Sequence, residues 1–244
     1  MVPLWNFALC GNRLLFAGVT LAVQLVTLGG GYLAILRLAE WRGVSLWDST
    51  SFIDRAVPAL PWTVLVYMSL YLYFPITMLL APRGKRGTLA ILYHFQAQVL
   101  VSLITWAVFL AFPTRIYVRS EMESKLGTSS EFLNGLFAEL YSLDAPFNAW
   151  PSLHVSLSIL MLFTWAQFTR TRVGRHKLWR RGKLDTIAIV IAVLSWLALC
   201  LSILTTKQHF FFDIWTGALV GCIAWRFYLR ALLCGCELEG VGQP

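Results

Sequence analysis

Charge is what this chain has least of. Twelve acidic and 20 basic residues are spread over 244 positions, so 13% of the sequence is charged, where a water-soluble domain carries about 25%. Together with 58% hydrophobic residues and a mean hydropathy of +0.67, that shortage excludes a soluble domain and a disordered chain. Cysteine is scarce too. Cys10, Cys200, Cys222, Cys234 and Cys236 fall in apolar segments or near their ends and imply no disulfide framework. Internal repeats and low-complexity tracts are absent from the sequence, and its one extended polar stretch of mixed sign, "RSEMESKLGTSSEF", reads as a loop. No acidic cluster suited to Mg²⁺ is present.

Apolar runs fill the space that charge leaves. Six are long enough, at ~20 residues, to cross a hydrocarbon core of roughly 30 Å: about 14 to 36, 60 to 81, 89 to 112, 151 to 169, 186 to 206 and 210 to 233. The pattern predicts an all-α polytopic membrane protein, six transmembrane helices in one bundle, forming a single integral membrane domain over residues 1–244. The leading "MVPLWNFALCGNR" is weakly positive, but the apolar run after it is long and lacks a small-residue cleavage site, so it reads as a retained first helix.

Six spans put both termini and the loops after spans two and four on one side of the membrane. That side holds 13 of the 20 basic residues, seven of them between Arg170 and Lys183, and short cytoplasmic loops are the ones that keep Lys and Arg. Both termini are therefore expected in the cytoplasm. The opposite side carries nine of the twelve acids. A net charge of +8 is thereby read as a topological signal facing the membrane, with no nucleic acid as partner. The 11 Trp and 16 Phe read as membrane packing and interfacial belts.

Ionisable residues at membrane depth are expensive and point to function. His154 stands at the start of the fourth span in "NAWPSLHVSLS", and His209 at the start of the sixth in "TTKQHFFFDIWTGALVG". Both belong to the non-cytoplasmic face. His209 and Asp213 are four apart, which predicts one helix face and mutual contact, the carboxylate fixing one ring nitrogen as a lone pair that points away. Pro151 is suited to the first helical position. The free N–H groups of Ser152, Leu153 and His154 would then offer an anion site. Lys207 adds a cation at that level, and Arg115 and Arg119, after the third span, compete for a bidentate grip on phosphate.

These residues resemble the type 2 phosphatidic-acid phosphatase superfamily of membrane lipid phosphatases and phosphotransferases, over roughly residues 50 to 230, the expected catalytic core. "PSLH" (151–154) is similar to its second motif, and Ser202 with Lys207-Gln208-His209 and Asp213 to its third. The resemblance implies His209 as nucleophile, Asp213 as its orienter, His154 as proton donor to the leaving group and Ser152 as a phosphate contact. Ile203 stands where the phosphatases have arginine, and Lys207, close before the histidine, is similar to the inositol-phosphorylceramide and sphingomyelin synthase branch. Leu153 replaces the usual glycine, and of the first motif only Arg119 is carried over. In that branch "FIDRAVPALPWTVLVY" resembles the entry to the second span and brings Asp54 near the site.

The expected partners are a lipid phosphate, membrane lipids and, for a transferase, a lipid hydroxyl acceptor. No cofactor or metal is expected, although His154, His209 and Asp213 could in principle hold zinc with an open position. A non-catalytic lipid-binding protein with the same basic cluster is the alternative from another class. His94 and His176 read as polar residues snorkelling from helix ends.

Overall fold

A computed structural model describes residues 13–147, 149–175 and 183–238. The expectations on Cys10, His176, Lys177, Arg180 and Arg181 fall outside these residues, as do the side chains of Arg172, Arg175, Lys183 and Cys236.

Every regular element among the described residues is helical, and no strand is present. In chain order these are α1 (Arg13–Arg42), the short α2 (Phe52–Ala56), α3 (Val64–Met68) after a 3₁₀ turn at Pro61–Thr63, and α4 (Leu70–Leu80). They continue with α5 (Lys85–Ala111), α6 (Arg119–Leu126), α7 (Glu131–Leu143), α8 (Leu153–Arg175), α9 (Lys183–Thr205), α10 (Phe211–Ala224), a π-helical turn at Trp225–Leu229, and α11 (Arg230–Leu238). Five segments are long and apolar enough to cross a membrane: Arg13–Arg42, Pro61–Leu80, Lys85–Ala111, Asp185–Thr205 and Phe211–Gly235. Short polar-capped helices fill the connections at one end. Ser51 and Asp54 form a capping box on α2, and Ser130 caps α7.

The expected span at 151 to 169 is a helix of 23 residues, α8, but it is not among the five apolar ones. Its position explains the difference. α8 packs against α4, α5, α9 and α10, and Ser156, Ser158 and Thr164 are fully buried along it. A helix surrounded by other helices needs little lipid-compatible surface and can present polar groups to its neighbours. Those groups are used: the Trp196 indole donates to Ser158 at 3.1 Å, and Trp165 donates to Thr77 at 2.7 Å. His94 meets Thr164 at 3.0 Å with its side chain buried, which corrects the snorkelling expectation: it faces α8 inside the bundle. The Gln24 and Gln98 amides pair between α1 and α5.

α8 and α10 approach most closely where the histidine motifs begin. Gly217 and Gly221, four apart on α10, lie against the backbone carbonyls of Ser152 and Ser156; a Cβ at Gly221 would sit 2.6 Å from the Ser156 oxygen. This is the small-xxx-small device that lets helix backbones touch. Two hydrogen bonds fasten the seam, from the Ser152 N–H to the Asp213 carbonyl at 3.1 Å and from the Ser156 hydroxyl to the Gly217 carbonyl at 3.0 Å.

Gly221→Leu should force the two helices apart and lower stability by about 1–3 kcal/mol, the usual range for overpacking. Thermal unfolding of the purified protein in detergent measures this. An unchanged midpoint would show that the seam tolerates a side chain.

Candidate active site

His209 lies in the turn between α9 and α10, two residues ahead of the helix, which begins at Phe211. The expected shared helix face is thus corrected: Asp213 accepts the Phe210 N–H at 2.8 Å and so helps to start the helix just after the histidine, as N-terminal capping bonds do. The two side chains meet all the same. His209 Nδ1 is 3.3 Å from Asp213 Oδ2 and 2.8 Å from the Ala149 carbonyl oxygen. With two acceptors against it, Nδ1 carries the proton, and in the neutral ring Nε2 holds the lone pair.

The His154 ring lies 5.8 Å from that of His209, inclined at 67°. Tyr67, which is buried, also lies against the His154 ring, 4.7 Å away between ring centres. Tyr67 escaped the sequence reading, although it closes the stretch "FIDRAVPALPWTVLVY" that marks the entry to the second span; a tyrosine in an apolar helix carries no signal of its own. Ser152 precedes α8 and is fully buried. Its Oγ accepts the Val155 N–H at 3.4 Å, so Ser152, rather than Pro151, opens the helix. Because its own N–H is committed to Asp213, the open N–H groups at this end are those of Leu153 and His154.

The expected phosphate-binding cations are differently employed. Lys207 is 1% exposed and adopts a left-handed backbone, φ 57°, a conformation that costs a residue with a side chain about 1–3 kcal/mol. Its ammonium donates to the carbonyls of Asp54 and Val57, both at 2.7 Å, and pairs with Glu121 at 2.7 Å. All three of its donors are thereby met. Arg119 donates to the Asp144 carbonyl at 2.6 Å, to the Asp144 carboxylate at 3.3 Å and to Gln208, the neighbour of His209, at 2.6 Å. Its guanidinium covers the Tyr141 ring at 4.8 Å, and burial raises that phenol to about 12, with Arg119 opposing. Arg115 is exposed and lies over Phe147 at 5.7 Å. Of the two arginines, only Arg119 reaches the histidine-bearing turn.

Asp54 acquires a role the sequence did not disclose. One carboxylate oxygen accepts the Phe211 N–H at 2.6 Å, the other the Ser51 N–H at 2.7 Å. It caps α2 and α10 together, and its own carbonyl holds Lys207. The His209 turn is thus clamped from three directions, by Asp54, Lys207 and Arg119.

Among the described residues no group of three His, Cys, Asp or Glu side chains converges as a metal site. Asp213 lies behind the His209 ring, against Nδ1, and not between the two histidines. Comparison with protein-family models, with curated proteins and with solved structures gives no match.

Lys207→Met leaves two carbonyls without their buried donor, while Glu121, 43% exposed, can turn to water, so the loss should be about 1–3 kcal/mol. Arg115→Met should remain within about 0.5 kcal/mol of the parent. Thermal unfolding of both variants in one detergent tests the contrast, and equal midpoints would refute the clamp.

Proposed function

We propose that the chain is a metal-independent lipid phosphate phosphatase acting through a phosphohistidine, with six spans, both termini on the cytoplasmic side and the histidine pair at the opposite face of the membrane. The observation that carries this reading is the treatment of His209: two acceptors hold Nδ1–H, Nε2 is left as a nucleophile, and a second imidazole stands 5.8 Å away between ring centres. A lipid-binding protein without catalysis has no need of an oriented lone pair.

In the first step Nε2 of His209 attacks phosphorus and the P–O ester bond breaks. The departing oxygen takes a proton from the imidazolium of His154. The Nδ1 proton remains shared with Ala149 and Asp213, which stabilises the positive ring formed on His209. In the second step neutral His154 takes a proton from water as its oxygen attacks phosphorus, the P–N bond breaks, and the lone pair returns to Nε2. Phosphate is released.

The open N–H groups of Leu153 and His154 are one source of phosphate contacts. Lys207 is a second, because its third acceptor, Glu121, is 43% exposed and a phosphate oxygen can replace it while keeping the ammonium neutralised. Transfer to a lipid hydroxyl is the second reading, favoured by the Lys207-Gln208-His209 spacing; it differs only in the acceptor of the second step.

Release of inorganic phosphate from phosphatidic acid in detergent with excess EDTA tests the reaction class, and total loss of activity restored by one metal would refute it. Diacylglycerol, ceramide or a polyprenol added to the same assay separates transfer from hydrolysis. His209→Ala should abolish turnover. His154→Ala should lose about 10² to 10⁴-fold on an alkyl phosphate but much less on an activated aryl phosphate, whose leaving group departs without a proton. Equal losses in phosphohistidine formation on both would reverse the assigned roles.

Glu121→Gln should lower KM for phosphatidic acid at nearly unchanged kcat, since it weakens the internal competitor for Lys207. A raised KM would mean that Glu121 supports the site in its free form.

A further inference from the structure

α8 carries His154 at one end and a groove at the other. Arg170 lies sixteen residues beyond His154, about 24 Å along the helix at 1.5 Å per residue. Between α4, α8 and α9 a cavity of about 270 Å³ opens there, lined by residues that include Leu162, Phe163, Ala166, Ala188 and Val193, with Arg170 among them. The polar groups of its wall are occupied within the protein. The Trp165 indole donates to Thr77, and the Thr169 hydroxyl donates to the Trp165 carbonyl at 2.9 Å. Among the described residues no carboxylate pairs with the exposed Arg170 guanidinium. The groove thus presents a long apolar surface ending in one unneutralised cation.

Its length is informative. Leu162 to Arg170 spans roughly 12 Å of helix, close to the ~15 Å of one leaflet in a hydrocarbon core of roughly 30 Å. An occupant with an apolar body of one leaflet's depth and an anionic end at the interface matches both dimensions and charge. We infer that the α4–α8–α9 groove binds one acyl chain of an anionic phospholipid, with its head group on Arg170, in the leaflet opposite the histidine pair. Basic pockets between membrane helices recognise anionic head groups in this way.

The test uses the full-length protein in detergent doped with phosphatidylglycerol or with phosphatidylcholine of the same chains, and counts retained lipid by native mass spectrometry. Phosphatidylglycerol avoids the phosphate monoester that the histidine site is proposed to process. The parent protein should retain phosphatidylglycerol in preference. Arg170→Gln should reduce that preference about fivefold, the size expected of one basic residue near an anionic surface. Ala188→Trp, at an exposed wall position, should remove the adduct, whereas Leu194→Trp, exposed outside the groove, should not. Equal retention of both lipids by the parent, or an adduct indifferent to Arg170→Gln, overturns the proposal. The measurement needs no turnover, so its outcome is separate from that of the phosphatase assay.

Discussion

One backbone hydrogen bond, from the Ser152 N–H to the Asp213 carbonyl, fixes the distance on which the rest of the site depends. It joins the first turn of α8 to the first turn of α10 at the only level where both histidines are present. Gly217 and Gly221 make the approach possible, and with it come three consequences: His154 and His209 share a space, Asp213 lies behind the His209 ring, and the Ala149 carbonyl reaches Nδ1. A side chain at either glycine would disturb all three at once. The geometry of the histidine pair is therefore a property of helix packing before it is a property of the two side chains.

Charge around the pair follows a second constraint. A buried cation must be matched by acceptors where it stands. Lys207 finds two carbonyls and Glu121, while Arg119 finds Asp144 and Gln208. Each carboxylate comes from a connecting segment, Glu121 from α6 and Asp144 from the end of α7. The connecting segments supply counter-charges for the turn that carries His209, and the polar stretch "RSEMESKLGTSSEF", expected as a loop, is largely helix α6 and the start of α7, with Arg119 and Glu121 in these pairs.

What could be read from sequence divides by range. The pairing of His209 with Asp213 was legible because four residues of spacing bring two side chains together in a helix or in the turn that leads into one. The apolar runs were legible because membrane thickness imposes their length, and the match is close for α1, Pro61–Leu80, α5, α9 and Phe211–Gly235. The start of α10 at Phe211 was not, since Asp213 shares the capping with Asp54, 157 positions before Phe211. Lys207 looked like a free cation because its partners lie 150 and 153 positions distant, and no local pattern marks them. The polar face of α8 was legible as residues but not as a burial pattern, for an inward serine and an outward one are spelled alike. His94 was misread for the same reason.

That polar face bears on how the chain enters a membrane during synthesis. In the six-span arrangement proposed above, α8 is the helix least able to partition into lipid alone, because its serines, Thr164 and His154 favour protein or water over hydrocarbon. When it emerges from the ribosome, the partners of its far end are already made: Thr77 on α4 awaits Trp165, and His94 on α5 awaits Thr164. The partners of its near end, Asp213 and Gly217 on α10, come about sixty residues later. The partners of the end remote from the histidines are thus available to α8 first, and the level of the histidine pair can be completed only once α10 is made.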